Sequence, residues 1–251
     1  MALIVALLTS LVWAVDVDSF EPATSVAWGA GSPSVESPHG GTDGLAVGLI
    51  GGFVQDPVVR VFDDGTEEPV VKALVPLNVY AGYGFSQVGR VELVLPTYPW
   101  ADVPETDYAG GAIGDVRLQG NFTVWRSGST IAVGLLPRVA LPTGTRDALV
   151  AQGGSGSFWA TAGGTVEPAR LGWVANLGPT IENPDQLDDV RLGSTIDLGM
   201  ATWYQASDAY RVGIETEFHA GLVRTPSEPA NHVGFGQLFA QSIHPTGLGM
   251  L

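Results

Sequence analysis

From residue 44 almost to the end of the chain, apolar residues alternate with small or polar ones, and no stretch keeps a helical period. A repeat of two marks a strand with two unlike faces. The clearest run covers residues 112–125. Ala112, Gly114, Val116, Leu118, Gly120, Phe122 and Val124 form one row, and Ile113, Asp115, Arg117, Gln119, Asn121 and Thr123 form the other. In residues 210–222, Tyr210, Val212, Ile214, Thr216, Phe218, Ala220 and Leu222 oppose Arg211, Gly213, Glu215, Glu217, His219 and Gly221. In residues 192–204, Leu192, Ile196, Leu198 and Met200 oppose Thr195 and Asp197. Weaker runs at 45–54, 71–85, 88–95, 131–141, 158–166, 171–179 and 233–242 bring the total to ten predicted strands.

The connections alternate in length. Short ones near 86–87, 126–130, 167–170 and 205–209 are interleaved with longer ones at 55–70, 96–111, 142–157, 180–191 and 223–232. This is an up-and-down meander whose two ends differ, the layout of bacterial outer-membrane barrels. A soluble sandwich or barrel would alternate too, but its strands average about five or six residues. Runs of about ten are what a tilted strand needs to cross a bilayer.

The charges separate these readings further. Lys72, Arg90, Glu92, Asp115, Arg117, Arg138, Asp197, Arg211, Glu215 and Glu217 each lie opposite the apolar row of their strand. One Arg on a lipid face would cost about 2–4 kcal/mol at the midplane. Strands in hydrocarbon must also pair every backbone group, so the sheet has to close. Aromatics near the strand ends, such as Phe85, Trp125, Tyr204 and Tyr210, suit interface girdles. The predicted fold is an all-β, up-and-down antiparallel transmembrane β-barrel with ten strands visible. Because the chain ends His244-Pro245-Thr246-Gly247-Leu248-Gly249-Met250-Leu251, without a terminal aromatic strand, the expectation is a twelve-strand barrel lacking its last hairpin.

Composition narrows the partners. The chain has 251 residues, no Cys and a net charge of −15. The absence of Cys removes disulfides, thiolate metal sites and Cys nucleophiles. The acidic balance argues against nucleic acid, whose binding needs cations to displace counterions. Residues 1–14 are an apolar stretch too short for a spanning helix and end in Val12-Trp13-Ala14, so they are read as a secretory signal peptide. A buried N-terminal strand is the alternative. Residues 15–43 form an irregular segment rich in Gly, Pro and Ser, and 44–251 the barrel.

Gly114-Asp115, then Leu141-Pro142-Thr143-Gly144 and a Gly-rich loop, then Asn176-Leu177-Gly178 give the chain a family likeness. Over residues 44–250 it resembles outer-membrane barrels related to the meta-pathway phenol-degradation transporter family. It also resembles the N-terminal barrel of some OmpA-family proteins. The resemblance implies transport; cell-wall anchoring, which in that family belongs to a periplasmic domain outside residues 44–250, is not expected to carry over. Within the motif itself, Pro142 ends the ladder for want of an N–H, and Gly144 permits the turn at the rim.

The predicted lumen-facing set is Lys72, Glu92, Asp115, Arg117, Arg138, Asn176, Asp197, Arg211, Glu215, Glu217 and His219. Opposed Arg and carboxylate groups can set the field of a narrow pore. They can equally form a salt-bridged filling that only stabilises a small barrel. The long connections carry Asp63, Asp64, Glu67, Glu68, Asp102, Glu105, Asp107, Glu182, Asp185, Asp188 and Asp189. These could bridge to lipopolysaccharide through divalent ions or simply keep loops hydrated, and their spacing fits no EF-hand. No hydrolase, zincin or P-loop motif is present, so neither an enzyme nor a cofactor is expected. The expected function is an outer-membrane channel of a Gram-negative bacterium passing small solutes, apolar or aromatic ones among them. The alternative is a non-conducting barrel that stabilises the envelope. The expected partners are outer-membrane lipid, lipopolysaccharide, the solute and the barrel-assembly machinery.

Overall fold

The computed structural model describes residues 5–8, 35–38, 43–61, 66–85, 88–128, 130–148, 154–166, 170–182, 185–187, 190–192, 194–207, 210–221 and 232–242. Its strands are β1 (Val5–Leu8), β2 (Gly44–Gly52), β3 (Val54–Val61), β4 (Glu67–Phe85), β5 (Gly89–Val103), β6 (Tyr108–Ile113), β7 (Val116–Ser127), β8 (Ile131–Leu141), β9 (Ser155–Val166), β10 (Leu171–Glu182), β11 (Asp185–Leu187), β12 (Val190–Leu192), β13 (Thr195–Gln205), β14 (Tyr210–Gly221) and β15 (His232–Ser242). The main sheet is ordered β1-β2-β4-β5-β7-β8-β9-β10-β13-β14-β15, with β3 added to β4 and β6 to β5. From β2 to β15 this is a meander of ten antiparallel strands, curled into a half-barrel. The fold class is therefore the all-β, up-and-down one that the alternation predicts.

Strands β8 and β10 have 11 and 12 residues. At about 3.3 Å per residue and about 40° of tilt they rise about 28–30 Å, close to the hydrocarbon thickness of a bilayer. The outer face carries exposed apolar side chains, among them Leu45 (74%), Val47 (60%), Leu118 (51%) and Ile214 (52%). Phe85, Trp125, Tyr204 and Tyr210, also exposed, sit beside the short connections. The inner face buries Asn78, Arg90, Glu92, Arg117, Gln119, Asn121, Asn176, Asp197, Arg211 and Glu215. The outer row is thus strongly apolar, while the inner face mixes these polar groups with buried apolar ones such as Ile50, Tyr80, Val94 and Val174.

Three expectations change. The run at 112–125 is not one strand. Gly114 and Asp115 interrupt it, with the Gly114 N–H on the Pro96 carbonyl, and the alternation flips there: Ala112 is buried and Ile113 exposed. The connections at 55–70 and 96–111 are not plain loops. They extend the sheet as β3 with the start of β4, and as the end of β5 with β6. Val70, Val71, Leu74, Tyr98, Ala101, Val103, Ala112 and Ala148 form an apolar cluster in this extension. Lys72, predicted to line the lumen, is exposed within the extension.

Residues 5–8, inside the stretch read as a leader, pair in parallel with residues 49–52 and come near β15. Cleavage after Ala14 would remove β1 and free that edge of β2. The terminal segment 244–251 and the acidic residues Asp63, Asp64, Asp188 and Asp189 lie outside the described residues.

Candidate functional site

The register places polar side chains at matching depths on neighbouring strands. Glu92 pairs with Gln119, and Gln119 with Arg138, across β5, β7 and β8. Arg90 pairs with Asn121, and Thr161 with Asn176. Each of these residues sits on the inward row of its strand. Hydrogen-bonding groups set side by side on the buried inner face of the curl need partners, because an unpaired buried polar group costs about 1–3 kcal/mol.

Residues 35–38 (Val-Glu-Ser-Pro) supply those partners. All four are buried inside the curve of the sheet, although they belong to the irregular segment before β2. The Glu36 carboxylate accepts from Arg90 Nη2 at 2.8 Å and from Gln119 Nε2 at 3.2 Å. Arg90 Nε lies 3.1 Å from Glu92 Oε2, which also accepts from Gln119 Nε2 at 3.0 Å. One guanidinium thus serves two carboxylates, and Arg90 has no exposed surface. Buried charges are tolerated only with such pairing.

The main chain of the segment is held as closely as its acidic side chain. Thr161 Oγ1 donates to the Glu36 carbonyl (3.1 Å), Asn121 Nδ2 to the Ser37 carbonyl (2.5 Å), and Thr123 Oγ1 to the Pro38 carbonyl (2.7 Å). The Asn176 amide, with its nitrogen toward the segment, donates to the Glu36 carbonyl at 2.9 Å and to Thr161 Oγ1 at 2.8 Å. Its oxygen accepts the Glu36 N–H at 2.9 Å. Val35 packs on Val174 and Ala201, with Trp203 alongside. Pro38 lies over Gly163, where a Cβ would come within 3.1 Å of its Cδ; a side chain there would crowd the segment.

A second ionic cluster sits where β10, β13 and β14 meet. Asp197 Oδ1 lies 2.8 Å from His219 Nδ1 and accepts from Thr195 Oγ1 at 2.6 Å, while its Oδ2 accepts from the Thr180 hydroxyl. His219 Nε2 faces Glu217 Oε2 at 3.7 Å. Both threonine hydroxyls are committed to the carboxylate, which gives the cluster the form of a clamp between adjacent strands. Among the described residues, no group of three or more His, Asp or Glu could hold a metal ion.

The remaining predicted lumen residues divide by role. Glu92 and Asn176 belong to the layer around Glu36. Arg117 donates from Nη2 to Asn78 Oδ1 at 3.0 Å. Arg138 stacks on Trp159 at 4.6 Å and Arg211 on Trp203 at 5.1 Å, with Glu215 buried on the same row as Arg211. Asp115 works at the rim. Its carboxylate accepts from the backbone N–H groups of Thr143 (3.0 Å), Gly144 (2.8 Å) and Gly154 (3.3 Å), while Thr143 Oγ1 accepts the Val116 N–H. This explains physically why Gly114-Asp115 and Leu141-Pro142-Thr143-Gly144 occur together: one carboxylate closes the other strand's exit turn.

Sequence reasoning missed Glu36 and the functional part of residues 35–38. It also left Arg90, Gln119, Asn121, Thr123 and Thr161 out of the site. The available signal was the row Gln119, Asn121, Thr123: neutral hydrogen-bonding groups on an inner face that imply something to bind.

No family model matches the chain, and no curated protein matches its sequence.

Proposed function

We propose that this chain is an outer-membrane barrel of a Gram-negative envelope. Its lumen is a passage for small solutes, closed in this state by residues 35–38. The observation that carries the reading is the polar wall beneath that segment. Arg90, Glu92, Gln119, Asn121, Thr123, Thr161 and Asn176 could all be hydrated once the segment left, as the lining of an aqueous channel must be. A filling whose only task was stability would gain more from apolar packing, since buried ion pairs stabilise little. The wall favours solutes that form hydrogen bonds over apolar ones. Lipid and lipopolysaccharide contact the outer face, the barrel-assembly machinery inserts the chain, and residues 1–14 direct its export. Relationship to the meta-pathway phenol-degradation transporters and to OmpA-type barrels belongs to the same proposal, as does the absence of catalysis and of a cofactor.

The second reading, a non-conducting barrel that stabilises the envelope, is favoured by the linked Arg90–Glu36–Glu92–Gln119 network. Single-channel recording in planar bilayers separates the two. The unmodified chain is expected to stay mostly closed. A chain with residues 35–38 replaced by Gly-Ser-Gly-Ser is expected to conduct steadily. A folded, inserted replacement that never conducts would leave the structural reading standing.

A further inference from the structure

The contacts to residues 35–38 divide in an informative way. Three consecutive carbonyls and one N–H are bound by Asn121, Thr123, Thr161 and Asn176, which come from three different strands. Such bonds hold any peptide that follows the segment's bent path, whatever its sequence, because every residue presents the same main-chain groups. Side-chain selection is visible at two places in particular. Arg90 and Gln119 take a carboxylate, and the Val174–Ala201 surface takes a small apolar side chain. Backbone bonds that give affinity and pockets that give selectivity are how proteins recognise extended peptides. Here the backbone bonds come from wall side chains, and no strand ladder has to be broken to release them.

We infer that the lumen contains a binding site for a short, non-helical peptide with an acidic side chain, and that residues 35–38 are its tethered occupant. This rests on the reading of the lumen as a passage and names the class of solute it takes: short acidic peptides. A free peptide enters by replacing the segment's contacts one for one: its carboxylate on Arg90 and Gln119, its carbonyls on Asn121, Thr123 and Thr161. The tether makes the internal segment a strong competitor, because its effective concentration at the site is about millimolar or higher. A free peptide therefore binds weakly until the segment is moved.

The probe is a fluorescein-labelled synthetic peptide of residues 33–40 (PSVESPHG), titrated into the full chain folded in detergent. The host is the variant Val35→Gly, Glu36→Ser, Ser37→Gly, Pro38→Ser. Saturable binding to this variant is expected, at least about tenfold tighter than to the unmodified chain. A peptide carrying the Glu36→Gln change should bind at least about tenfold more weakly, the effect of losing one charge-assisted hydrogen bond. Equal binding by both chains, no saturable binding to the folded variant, or indifference to the Glu36→Gln change would each overturn the inference. If the variant does not fold, the unmodified chain still decides. Millimolar peptide should speed hydrogen exchange of the Glu36 amide at least about tenfold, and an unchanged rate overturns the site. Peptide binding by a vacated barrel that never conducts would defeat the channel and leave the site. Conduction without peptide binding would defeat the site alone.

Discussion

The two ionic layers inside the barrel are built by different routes. The cluster at Asp197 joins groups 2 to 22 residues apart, on strands that are neighbours in the sheet. The layer at Arg90 is closed by Glu36, which is 54 residues away from Arg90, 83 from Gln119 and 125 from Thr161. The first follows from register alone: once β13 and β14 pair, Asp197 and His219 are opposite one another. The second depends on a segment that belongs to no strand. The register cluster ties the wall together, whereas the Glu36 layer fills the hollow of the curled sheet.

The sharpest way to break this comparison is at Arg90. Arg90→Ala leaves Glu36 and Glu92 buried without their shared cation and is expected to cost about 3–5 kcal/mol. Urea unfolding in lipid vesicles measures the loss. A cost below about 1 kcal/mol would show that the layer is hydrated and the two clusters alike.

The next effect tests why both layers are polar at all. Leu118 lies on β7 between the inward residues Arg117 and Gln119, and faces outward. With lipid on that side, Leu118→Arg should lower stability by about 2–4 kcal/mol near the midplane. An outer face in water would make the same change nearly neutral, and vesicle insertion yield gives an independent readout.

At the rim, Asp115→Ala removes the acceptor of three backbone N–H groups. It should cost about 1.5–3 kcal/mol and speed hydrogen exchange at Thr143 and Gly144 before any other site. The smallest effect belongs to the register cluster. Thr180→Val removes one donor to Asp197 while keeping the branched shape, and should cost about 1 kcal/mol in the same unfolding assay. A loss as large as that of Arg90→Ala would mean that the clamp, rather than the occupied layer, holds the barrel together.

Which parts were legible follows from the same contrast. Alternation is a local signal. It located the ten strands of the meander, the outward row at Leu118 and Ile214, and the inward row at Arg211 and Glu215. It misread residues 112–125 because the break at Gly114 and Asp115 leaves the repeat nearly intact while the chain changes partner from one part of β5 to another. It misplaced Lys72 because counting by twos does not register where β4 passes beyond the barrel and joins β3. Asp115 is buried in the break between β6 and β7, and its task of capping the exit turn of β8 is a contact across 28 residues that alternation does not register. Glu36 was invisible for a deeper reason. Residues 35–38 have no periodicity, and their position is dictated by the hydrogen-bonding wall that receives them.

The chain has no cysteine, so Ser37→Cys introduces a single thiol at the centre of the segment. Its reaction with a bulky water-soluble maleimide should be at least about a hundredfold slower in the folded, vesicle-inserted chain than in urea, because Ser37 is only 3% exposed. Equal rates in the two states would mean that residues 35–38 do not occupy the lumen.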